Sequence, residues 1–193
     1  TATLPAGATT GPISVTTPSG TGTSSSNFTV NALPTAVTVS GGGTYCGSAT
    51  ITASGGTGGT IYYQGTTSGG TSTATASSSQ SVTTSGTYYF RSQSASGCWG
   101  PEGSAIVTIN ILPTPNFTAA PADPECQGDD VTYTTQSGMS NYTWSVPGTD
   151  GSDYSITSGG IGSNSVTLKW LTTGNKTVTV GYTDAVNGCA SAT

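Results

Sequence analysis

Apolar residues in this chain fall in short alternating runs, and no window shows the i, i+3, i+4, i+7 stripe of an amphipathic helix free of Gly and Pro. In Gly86-Thr87-Tyr88-Tyr89-Phe90-Arg91 a strand puts Tyr88 and Phe90 on one face. Thr87, Tyr89 and Arg91 then lie on the other. Tyr142, Trp144 and Val146 alternate in the same way, as do Val166, Leu168 and Trp170, which turns Lys169 outward. Glycine clusters at 41–43, 55–56 and 69–70 punctuate the runs. The pattern predicts strands at 13–16, 27–30, 37–40, 49–53, 61–64, 80–83, 87–94 and 105–111. A further set is predicted at 116–119, 131–134, 142–146, 165–170 and 176–183. Short strands with turns between them indicate an all-β protein built from β-sandwiches.

Leu-Pro-Thr occurs at 33–35 and again at 112–114, each time between two strand-like runs. Repeated punctuation marks module boundaries, and divides the chain into residues 1–32, 33–112 and 113–193. Short joints carrying proline favour a semi-rigid rod of tandem modules. Residues 1–32 are too few for a sandwich of their own, and residues 113–193 stop soon after a Gly-Cys pair. Both ends therefore read as cut from something longer. The chain also does not begin with Met and shows no signal peptide, which fits a mature secreted fragment.

Composition narrows the range of partners. Only 6% of residues are charged, against about 25% in an average soluble protein. The net charge is −5, and the only cations are Arg91, Lys169 and Lys176. Phosphate neutralisation needs clustered Lys and Arg, so neither nucleic acid nor an anionic membrane surface is an expected partner. The apolar runs fall far short of a membrane span.

Cys46, Cys98, Cys126 and Cys189 are the four cysteines. In a Gly/Thr/Ser-rich β chain they read as two disulfides formed in an oxidising compartment. Three pairings are open. The module division selects Cys46–Cys98 and Cys126–Cys189, each closing a loop worth about 4 kcal/mol in the chain-entropy description. Cys-x-x-Cys spacing and histidine are both lacking, which argues against zinc.

The missing histidine also removes Ser-His-Asp and Cys-His catalysis in their usual forms. The eight Asp and Glu residues sit mostly in Gly/Pro-rich turns, where they read as turn formers and solubilising charge. No catalytic set emerges, and no cofactor is expected. Asp129, Asp130, Asp150 and Asp153 supply loop oxygens of the kind calcium takes, without EF-hand spacing. Among the aromatics Tyr62, Tyr63, Tyr89, Trp99, Trp144 and Trp170, core packing accounts for Trp144 and Trp170. That leaves Tyr89, Arg91 and Trp99 as candidates for a contact surface, for instance with a surface glycan.

Family resemblances refine the picture. Ser85-Gly86-Thr87-Tyr88-Tyr89-Phe90 resembles the strand-F entry of immunoglobulin domains. The resemblance implies that Tyr88 forms a tyrosine corner, its hydroxyl bonding back to the backbone. Phe90 stands where an antibody domain has its second cysteine. Leu4-Pro5-Ala6-Gly7-Ala8, Gly11-Pro12-Ile13-Ser14-Val15 and Asn27-Phe28-Thr29-Val30 resemble the C-terminal part of an IPT/TIG module. The run from Asn141 to Gly148, with Ser165 to Trp170 and Gly188-Cys189, is similar to a PKD-like domain. Modules of these families in tandem resemble the repeat regions of very large Bacteroidota surface proteins, the SprB-type gliding adhesins exported by type IX secretion. The resemblance implies an extracellular, non-enzymatic stalk at the cell surface whose partners are neighbouring repeats of the same chain or filament. Two other readings stand beside it. One is an accessory carbohydrate-binding segment of a secreted enzyme, and the other is a repeating subunit of an assembled fibre.

Overall fold

The computed structural model describes residues 3–5 and 7–192, and all its regular structure is β. The chain folds into two compact units. One is Thr1–Gly43 with Ala49–Thr108, and the other is Thr44–Ser48 with Ile109–Thr193.

The chain opens with a hairpin of β1 (Gly11–Thr17) and β2 (Gly20–Phe28), which pair only with each other. Ser14 stands opposite Thr23 and Thr16 opposite Thr21, and the hydroxyls of each pair bond at 3.1 and 2.9 Å. Ile13 and Val15 share one face of β1 and are both exposed. The polar run 20–26 gives no alternation to read, so β2 extends well upstream of the strand predicted at 27–30.

Seven strands follow: β3 (Val37–Ser40), β4 (Gly43–Cys46), β5 (Ala49–Gly55), β6 (Thr60–Tyr63), β7 (Ser79–Val82), β8 (Gly86–Gln93) and β9 (Gly103–Asn110). They form one sheet in the order β3-β5-β7 and another in the order β4-β9-β8-β6. A first strand shared between the sheets and a β9-β8-β6 run form an immunoglobulin-like order. The core holds Ile51, Val82, Tyr88, Phe90 and Val107, all buried. A Cβ on Gly103 would stand 2.2 Å from the Val37 carbonyl oxygen, so only glycine lets β9 begin beside β3. The tyrosine corner is present, with Tyr88 Oη donating to Thr84 O at 2.7 Å. β4 was missed in the sequence because it follows three glycines. Gly41, at φ +88°, makes the switch between sheets, and a Cβ there would meet Thr50 O at 2.4 Å.

The second unit holds β10 (Phe117–Ala119), β11 (Asp130–Thr135), β12 (Ser140–Ser145), β13 (Tyr154–Gly159), β14 (Ser165–Trp170) and β15 (Thr179–Thr183). The sheets are β10-β11-β14-β13 and β12-β15. Val131, Val166, Leu168, Trp170 and Val178 form the buried cluster, with Trp144, Val146, Tyr133 and Tyr154 packed against it. Trp144 and Trp170 are therefore core residues. Lys169 turns outward, 3.2 Å from Asp130. β13 escaped prediction because it is an edge strand with a largely exposed face.

The cysteine pairing is a correction. Cys46 is bonded to Cys189, while Cys98 and Cys126 are free. Strand length explains why the predicted pairs do not form. Cys98 follows the turn after β8, whose Ser94 amide it accepts, beside the start of β9; Gly47, next to Cys46, bonds Asn110 at the other end of β9. Eight residues of strand separate these points by roughly 25 Å, far beyond the ~7 Å Cα reach of a disulfide. In the second unit Cys126 lies beside the Trp170 end of β14, since Gly128 N donates to Trp170 O. Cys189 lies at the Thr183 end of β15, accepting from Asp184 N. Cys46 and Cys189 bring their Cα atoms to 5.6 Å and close 143 residues, worth about 5 kcal/mol in the chain-entropy description.

Removing only the corner hydroxyl, in Tyr88→Phe, is expected to lower unfolding free energy by about 1 kcal/mol. Urea titration of the two proteins checks it, with an unchanged m-value; no loss would mean the corner contributes nothing.

Candidate functional site

The outer face of β8 carries Thr87, Tyr89, Arg91 and Gln93, and pairing sets Tyr62 of β6 directly opposite Arg91 and Thr60 opposite Gln93. Trp99 reaches the same face from the β8–β9 connection through an isolated bridge to Gln93. The Arg91 guanidinium carbon lies 5.4 Å from the Trp99 ring centre, and Tyr62 meets that ring edge-on at 5.7 Å. Two of the three predicted contact residues, Arg91 and Trp99, therefore come together. Tyr89 shares the face but stands outside this stack.

Arg91 helps to hold the surface in place. Its Nε donates to Gly100 O at 3.0 Å, and one Nη donates to Gly69 O and Gly70 O at 3.2 Å each. Glu102 grips the same loop from the opposite polarity. One carboxylate oxygen accepts from Gly69 N at 2.7 Å and the other from Ser68 Oγ at 2.8 Å. The buried amide of Gln64 closes the loop's far side, donating to Ser72 O and accepting from Ser72 N, both at 2.9 Å. Residues 65–72 are thus latched through three side chains. The Gly69 amide bond, then Ser68 and then the Arg91 charge, hold the Glu102 carboxyl below its ordinary pKa.

At the end of this stack lies an open cleft of about 440 Å³, formed by Gly58, Gly59, Thr60, Tyr62, Gln93, Ser94 and Ala95. None of these residues is charged. A second, larger cleft of about 620 Å³ lies in the second unit, where exposed Cys126 sits near Asp123, Glu125, Trp170 and Lys176. Lys176 Nζ there lies 5.4 Å from the Trp170 ring centre and donates to Thr172 Oγ1 at 2.8 Å.

The four acids marked for calcium do not converge. Asp130 accepts from Thr157 Oγ1 at 2.9 Å and pairs with Lys169, and those contacts, Thr157 first, lower its pKa. Asp153 accepts from Thr149 N at 2.9 Å and Asp150 from Ile156 N at 3.4 Å, both closing one turn. The Asp129 amide donates to Cys126 O. Among the described residues no three His, Cys, Asp or Glu side chains are grouped to hold a metal. Among them, too, no helix is long and apolar enough to cross a membrane.

Sequence reasoning named Tyr62 only within a pool of aromatics and missed Glu102 and Gln64. The alternation at Thr60 and Tyr62, opposite Gln93 and Arg91, was the available signal for Tyr62. Glu102 gave none, because its partner Gly69 is 33 residues away.

No family model matches the chain, and no curated protein matches it. Solved structures to which it is similar include the N-terminal eight Ig domains of the Down syndrome cell adhesion molecule, at 14% identity and a TM-score of 0.37. That likeness covers 92% of this chain and 29% of the other, so the chain spans under a third of it. The fibronectin(III)-like modules of Clostridium thermocellum CbhA match at 18% identity and a TM-score of 0.31, over 81% of this chain and 89% of theirs. The titin domains z1z2, solved in complex with telethonin, match at 15% and 0.24, over 83% and 88%. The immunoglobulin-like description rests on the strand order itself.

A carboxyl with a lowered folded pKa supports its contacts above the unfolded pKa and loses them as pH falls through the folded value. Protection of the Gly69 amide from hydrogen exchange, corrected for intrinsic rate, should therefore hold at neutral pH and fall on acidification below the ordinary Glu range. In Glu102→Ala that protection should be weak at every pH. Protection that ignores both changes would remove Glu102 from the latch.

Proposed function

We propose that the chain is a structural, load-carrying segment of a secreted cell-surface protein, serving attachment and not catalysis. The observation that carries this reading is the Cys46–Cys189 bond. Tension entering before Cys46 and leaving after Cys189 follows the covalent path through the two sulfurs. The residues between them, which include β5 to β15, lie off that path. The strands from β5 onward then stay off the line of force, while β3 and β4, which complete the first sandwich, remain in it. The bond also fits an oxidising, extracellular type of environment.

The surface supports the same reading. Cross-strand hydroxyl pairs stand where charges usually do. Ser40 bonds Thr52 at 2.8 Å and Thr132 bonds Thr167 at 2.9 Å, each directly across a ladder. Such pairs contribute about 0.2–1 kcal/mol each and are indifferent to salt. The resemblance of the modules to repeats of Bacteroidota gliding adhesins extends the proposal to adhesion or gliding, with neighbouring repeats as partners.

The test is replacement in the parent protein. Exchanging this segment for two unrelated disulfide-tied β-sandwiches of similar length should leave surface attachment of the cells near its original level. Attachment lost despite normal export would show that attachment needs this segment for more than spacing, and the spacer reading would fall.

A further inference from the structure

We infer that the cleft beside Tyr62 is a binding site for a neutral saccharide. Here an aromatic ring, a glycine turn and uncharged polar side chains adjoin: Tyr62 lines the cleft together with Gly58, Gly59, Thr60, Gln93 and Ser94. A pyranose presents an apolar C–H face and a rim of hydroxyls. Aromatic rings take the first, and amides and hydroxyls, which both donate and accept, take the second. The Thr60–Gln93 pair supplies such groups beside the ring, and Gln93 is positioned by a 3.3 Å bond to Gly97 O.

Charge decides the ligand class. No lining residue is charged, and Arg91, which backs Trp99, is not among them; its Nε and one Nη donate to the carbonyls of Gly100, Gly69 and Gly70. Nothing in the cleft would repay the desolvation of a carboxylate, sulfate or phosphate. At about 440 Å³ the space suits one or two sugar rings. The platform is also set in advance. Tyr62 abuts Trp99, Trp99 is backed by Arg91, and Arg91 is anchored by the latched loop. A ring already fixed in place costs little ordering entropy when a ligand arrives.

The experiment is an amide NMR titration of the whole chain with neutral oligosaccharides of glucose, mannose and xylose, and with a glucuronic-acid oligosaccharide of equal length. At least one neutral series should give saturable shifts confined to residues 58–62 and 93–95. Tyr62→Ala should weaken that binding about tenfold, and Tyr62→Phe, which keeps the ring, should bind nearly as the parent does. Gln93→Ala gives an independent check if Tyr62→Ala disturbs the fold, and should also weaken binding. Failure of every neutral series to saturate, preference for the acidic sugar, or shifts centred elsewhere would each overturn the assignment. So would parent-like binding by both Ala variants. These outcomes are separable from the spacer reading, which concerns attachment and export.

Discussion

The covalent tie between Cys46 and Cys189 is the constraint on which the mechanical character of this chain depends. Everything else holding it together is ordinary for small β domains: ladders of backbone hydrogen bonds and two modest cores. Such ladders yield one domain at a time when the chain is drawn out. With 143 residues closed by one bond, the ladders from β5 onward are removed from the line of tension. The chain outside the loop, with the β1–β2 hairpin, β3 and β4 up to Cys46, remains in it. Under the proposed role the modules would be bulk that maintains spacing, and the sulfur bridge the tension member.

The rest of the chemistry relies little on charge. With so few charges, outward faces are stabilised by hydroxyl pairs across strands. Several of the ionic groups have a local task. Arg91 and Glu102 hold one loop through backbone atoms, and Lys169 with Asp130 closes across β14 and β11. Among the described residues no buried side-chain nitrogen or oxygen lacks a partner. The polar groups that were taken into the core, Gln64, Ser92 and Thr135, bond backbone carbonyls, with Ser92 Oγ reaching Gly56 O at 2.9 Å.

Much of this was written locally. Alternation at Tyr88 and Phe90, and at Val166, Leu168 and Trp170, is a property of neighbouring residues, so strands and buried faces could be read from order alone. The corner of Tyr88 needs only Thr84, four residues away. Cysteine pairing is different in kind. Choosing a partner for Cys46 requires knowing that it sits at the Asn110 end of β9 and Cys98 at the other, and that is fixed by strand pairing across the chain. The contact stack was half legible for the same reason. Arg91 and Trp99 are close in sequence, while the Gly69–Gly70 loop that commits the arginine comes from another part of the fold. The acids chosen for calcium looked suitable because they lie in loops. The oxygens of Asp150 and Asp153 close a turn, and those of Asp130 take Lys169 and Thr157.

Single-molecule extension of the chain from its two ends, with and without reductant, tests the tie most directly. Oxidised, the protein should lengthen only by the chain outside Cys46 and Cys189. Reduction should release about 500 Å more, the contour of 143 extended residues. Equal lengths in the two conditions, or a total gain on reduction far short of that contour, would contradict the account.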